Sequence, residues 1–178
     1  MNKKANFGFI LLFFVLIAIL LVVSFFIAIS IGVIDTVADV VIPEIENIGM
    51  VGDSNITQYT QYGTQPVSIL INSFTWMGGL AYMIAIIGLF GLAVTYRMTM
   101  NRLFIAIFFA LAILLIIMSI LMSNIYEDIY TGTDEFGTKM KEQTMMSYLI
   151  LHSPMVFTVV IFISGIVLFS GIRQEEFI

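Results

Sequence analysis

From Phe7 to Ile34 the chain runs 28 residues without one charged side chain. As a helix that stretch is roughly 42 Å long, against a hydrocarbon core of about 30 Å, so the sequence predicts a membrane-spanning helix with length to spare. Lys3 and Lys4 stand just before it, like the basic start of a signal peptide. The apolar run is far longer than a signal h-region and no small-x-small cleavage site follows it, which predicts an uncleaved signal-anchor helix.

Within that helix Ser24, Ala28, Gly32 and Thr36 recur every four residues. Small side chains at this spacing let another helix approach closely, so Ser24, Ala28 and Gly32 are expected helix-packing positions. The helical pattern continues past Ile34 as an amphipathic stalk to about Ile42. Ile34, Val37, Val41 and Ile45 share one face, and Asp35, Asp39 and Glu46 lie on another. Pro43 is expected to break or kink the stalk and to open a short second helix that Gly49 ends.

Three further apolar stretches predict spans at about 74–96, 103–122 and 154–172. The second carries the most specific pattern. Gly78, Ala81, Ala85, Gly88, Leu92 and Thr95 follow a 3-4-3-4-3 spacing with small residues at five of the six positions. Such a pattern lays a nearly side-chain-free ridge along one helix face, which favours close helix packing. Pore lining is the alternative, but a permeation path normally adds polar groups at mid-membrane, where this ridge has Ala85 and Gly88. Trp76 and Tyr96 are expected interfacial anchors. The short Arg97 to Arg102 link predicts that spans two and three are antiparallel neighbours. Ser153 and Pro154 start the fourth span, and Met145 to Leu151 is expected to lie in the interface or form a kinked upper turn.

Composition and residue inventory exclude several function classes. The chain is 60% hydrophobic and 11% charged, where a soluble domain is about a quarter charged. With no Cys there is no disulfide framework, thiolate metal site or Cys nucleophile. None of the four span cores holds Asp, Glu, Lys, Arg or His, which disfavours proton relays, ion-coupled carriers and voltage sensors. A single His speaks against membrane haem or copper chemistry, and no Gly-x-Ser-x-Gly elbow is present. No catalytic residue, cofactor site or metal ligand is therefore assigned. The pairs Asp35/Asp39 and Asp134/Glu135 read as solvated acids rather than cation sites. His152 reads as a locally hydrogen-bonded boundary residue, and the net charge of −5 points away from nucleic acid.

Charge placement sets the topology. One side of a four-span chain carries Lys3, Lys4, Arg97, Arg102 and Arg173, and the other carries only Lys139 and Lys141. The positive-inside rule then puts both termini in the cytoplasm. The expected fold is an all-α integral membrane protein, a single four-helix domain over residues 1–178. Two extracytoplasmic loops, about 35–73 and 124–152, form a small acidic cap. The expected function is a non-enzymatic structural or accessory subunit of a larger membrane assembly, in the cell membrane or a membrane-containing virion. It packs in the lipid bilayer against other membrane subunits or its own copies through Ser24, Ala28, Gly32, Gly78, Ala81, Ala85, Gly88 and Thr95. The alternative is an oligomeric channel or passive facilitator for a small solute or ion.

Overall fold

The computed structural model describes residues 3–51, 54–95 and 102–170. The Arg97–Asn101 part of the link, the Tyr96 anchor, Asp53, and Arg173 with the tail behind it lie outside the described residues. Helix α1, Lys3–Glu46, leads into a two-stranded antiparallel hairpin of β1, Met50–Val51, and β2, Ser54–Asn55, with Met50 paired to Asn55 and Val51 to Ser54. Helix α2, Ile56–Thr95, returns along α1. Then follow α3, Arg102–Tyr130, the short helices α4, Glu135–Glu142, and α5, Thr144–Leu151, and finally α6, Ser153–Phe169.

Three helices, α1, α2 and α3, are long and apolar enough to cross a membrane, and α5 with α6 makes a fourth candidate bent by 69°. At about 1.5 Å per residue, the 44 residues of α1 and the 40 of α2 reach roughly 60 Å or more, about twice the hydrocarbon thickness. Both helices therefore continue well past any bilayer they cross. The α5–α6 bend falls at His152, whose amide closes the end of α5 on the Ile150 and Tyr148 carbonyls. Pro154, which has no amide hydrogen to donate, sits in the first turn of α6, where that loss costs nothing.

Helix α1 is not divided at Pro43, and the segment after the hairpin is helix rather than loop. Pro43 lies inside α1 without ending it, and the helix stops at Glu46, ahead of Gly49 with φ +72°. The segment expected as a polar loop after Gly49 is the hairpin followed by continuous helix from Ile56, through Gly63 and Pro66. Each proline lacks one ladder bond, and beyond them the two extensions are joined by a side-chain contact. Thr64 Oγ1 donates to Glu46 Oε1 at 3.0 Å and to the Thr60 carbonyl at 3.1 Å. The second expected loop is also largely helical, formed by the end of α3, α4 and α5.

The core follows helical periodicity. Ile10, Phe13, Ile17, Leu21, Phe25 and Ala28 bury one face of α1. They meet Tyr82, Ile86, Leu89 and Ala93 of α2, Phe108 and Leu115 of α3, and Phe157 and Leu168 of α6. Edge-on ring pairs lock the helices, with Phe14 to Phe108 at 5.0 Å and Phe108 to Phe169 at 5.5 Å between centroids. The opposite faces are equally apolar yet open: Leu12, Ile19, Phe26, Ile84, Ile87, Ile113 and Phe162 are all exposed. Water does not tolerate a belt of that extent around a monomer, whereas a hydrocarbon solvent does.

Candidate functional site

The end of the bundle with the C-termini of α1 and α3 is held by α4. Asp134 caps it, its Oδ1 accepting from the Gly137 amide at 2.9 Å, and Lys139 and Lys141 in its last turn complement the helix dipole. Lys139 Nζ reaches Asp39 at 2.6 Å, Glu142 at 3.3 Å and Asp35 at 3.4 Å. Burial opposes the charge on Lys139, but the carboxylates of Asp39, Asp35 and Glu142 outweigh it and hold the ammonium above its ordinary pKa range. Three acids around one cation leave the patch acidic.

Beneath this ion cluster α4 lies hard against α1. A side chain on Gly32 would overlap the methyl group of Met140 and touch the Phe136 ring. Gln143, fully buried, donates from Nε2 to the Ala28 carbonyl at 3.0 Å. Tyr126 of α3 and Ser147 of α5 share a 2.7 Å hydrogen bond, and Ser147 Oγ donates to the Met140 carbonyl at 2.6 Å. Among the described residues no group of three or more His, Cys, Asp or Glu is arranged to hold a metal ion. His152 is exposed, with its ring stacked on Tyr148 at 4.2 Å and Nδ1 2.9 Å from the Tyr148 carbonyl.

The second feature is a groove along the seam of α1 and α2. It consists of three cavities in series, of about 410, 400 and 470 Å³. The first two share Val23 and the last two share Ile34, so the cavities follow one another along the seam. From Leu16 to Ile45 on α1 it is roughly 44 Å long. Its last third, past Asp35, is floored by Val37, Val41, Ile45, Gly63, Val67 and Ile71.

The two sets of small residues named from the sequence lie in different places. On α1, Ser24, Ala28 and Gly32 are buried; the Gly32 position faces Met140 and Phe136 of α4, and the Ala28 carbonyl accepts from Gln143. On α2, Gly78, Ala85 and Gly88 line the groove, with no atom of the chain within 4 Å of where a Gly88 Cβ would stand. Ala81 and Thr95 are exposed, outside the groove, and Thr95 Oγ1 returns to the Gly91 carbonyl at 2.8 Å. The buried face of α2 is instead Tyr82, Ile86, Leu89 and Ala93, with Gly79 pressed on Met145. Sequence reasoning missed Gln143 and the Lys139 cluster; the available signal was the match between an acidic i, i+4 pair on α1 and the lone cationic turn of the second outer segment. Comparisons with protein families, with functionally described proteins and with solved structures returned no match to this chain.

Proposed function

We propose that this chain is a non-catalytic subunit of a membrane assembly that seats a helix of another subunit, or of a second copy, in the α1–α2 groove. The observation that carries this reading is the length of the groove. The row of apolar cavities, roughly 44 Å from end to end, exceeds the hydrocarbon core by about 14 Å. Lipid chains fill the embedded part, but the part beyond Asp35 would stand in water with Val37 54%, Val41 43% and Val67 49% exposed. A partner helix covers both parts at once. In this reading the small residues Ala85 and Gly88 let its backbone come close. Both termini lie in the cytoplasm, because five Lys and Arg flank that side against two on the other. The α4–α5 corner and the hairpin then form the acidic outer cap.

The test is co-purification in mild detergent. Ala85→Leu with Gly88→Leu should reduce recovery of partner or of dimer about tenfold, the effect of about 1.4 kcal/mol. Ala81→Leu, exposed and outside the groove, should leave it unchanged. Equal recovery from all three proteins would rule the reading out. Solute flux through liposomes holding only this chain would support the channel reading instead.

A further inference from the structure

A second groove lies on the far side of the bundle, between α3 and α6, with a volume of about 510 Å³. We propose that it is a site for one acyl chain of an anionic phospholipid. Phe108 and Ala112 of α3 and Ile161 and Gly165 of α6 make its floor. The ring of Phe108 stands 2.9 Å from where a Gly165 Cβ would be, so glycine there is what lets floor and ring meet.

Its extent selects the occupant. The groove runs from Ile105 to Ile116 on α3 and from Ser170 back to Thr158 on α6. That is roughly 16–18 Å, close to the depth of one leaflet, about half of the 30 Å hydrocarbon core. Past Ile116 the helices close, with Ser153 Oγ donating to the Ser119 carbonyl at 3.3 Å. A spanning helix would need a groove that continues across both leaflets, whereas an acyl chain ends at the midplane. The open end also has a headgroup partner. Arg102, exposed at the start of α3, shares a helix face with Ile105 and Phe109 of the groove at i+3 and i+7. Among the described residues it makes no ion pair. A guanidinium one turn above an acyl groove matches a lipid phosphate and favours a net anionic headgroup.

Native mass spectrometry of the full chain, titrated with dipalmitoyl phosphatidylglycerol or dipalmitoyl phosphatidylcholine, tests this. The wild-type chain should hold the anionic lipid about 5-fold better, the effect of one cation at an anionic lipid surface. Arg102→Gln should bring the two lipids level by weakening only the anionic one. Ala112→Phe, which fills the floor, and Thr158→Phe, which plugs the closed end from an exposed position, should lower both. Equal binding of the two lipids by the wild-type chain would overturn the proposal. So would unchanged binding in Thr158→Phe and in whatever Ala112→Phe protein folds.

Discussion

Lys139 shows how one side chain sets the behaviour of the α4 end of the bundle. It stands 15% exposed among Asp35, Asp39 and Glu142, so removing it leaves three carboxylates facing one another. Lys139→Met should cost about 1–2 kcal/mol, less than a fully buried pair because Asp39 and Glu142 remain solvated. Asp35→Asn should stay within about 0.5 kcal/mol of wild type, since Lys139 keeps two acids. The pH dependence has a definite sign. Lys139 is held above its ordinary value of 10.5. Its contribution is therefore complete below pH 10.5 and is lost as pH climbs through the higher folded value. Melting temperatures measured across alkaline pH should fall more steeply for the wild-type chain than for Lys139→Met; parallel curves would refute the account. The acids Asp35 and Asp39 were visible in the sequence as a pair, but their partner lies on α4, and no local pattern announces a contact between distant segments.

Between elements the decisive contact is α4 on α1 at Gly32. Met140 is wholly buried, so it has little room to retreat from a larger residue. Gly32→Leu should cost about 1–3 kcal/mol and push α4 off α1. Trypsin cleavage after Lys139 and Lys141 should then accelerate, and an unchanged cleavage rate would contradict the packing described. Elements were legible in the sequence to unequal degrees. The apolar spans were plain because a bilayer imposes their length and composition. Ile56 to Ser73 is helix although its wealth of Thr, Gln, Ser and Gly predicts a loop. Polar composition reports contact with water, not irregular backbone. There Thr64 and Ser68 turn their hydroxyls onto carbonyls one turn earlier, at 3.1 Å each, and so remain within the helix. Pro43 does not divide α1, and the Thr64 to Glu46 contact just beyond it comes from another element, which no local pattern announces.

At the scale of the whole molecule, a bundle with apolar outer faces carries two grooves that differ in length. The α3–α6 groove is about one leaflet deep, and the α1–α2 groove is longer than the membrane is thick. The ridge of α2 was readable from spacing alone, but which of its members line a groove was not. That depends on the rotation of α2 against α1, fixed by Tyr82, Ile86, Leu89 and Ala93. The central claim is that the outer part of the long groove is covered by protein. Because the chain has no Cys, an introduced cysteine is its single thiol, read on the purified chain after labelling. Val41→Cys and Val67→Cys line that part, and Tyr148→Cys, 60% exposed on α5, serves as the open reference. In intact native membranes, a water-soluble maleimide should label the two groove cysteines about tenfold more slowly than the reference, as for a site closed by about 1.4 kcal/mol. They should catch up once harsh detergent strips the partner. Labelling as fast as Tyr148→Cys in the intact membrane would show an uncovered groove and contradict the account.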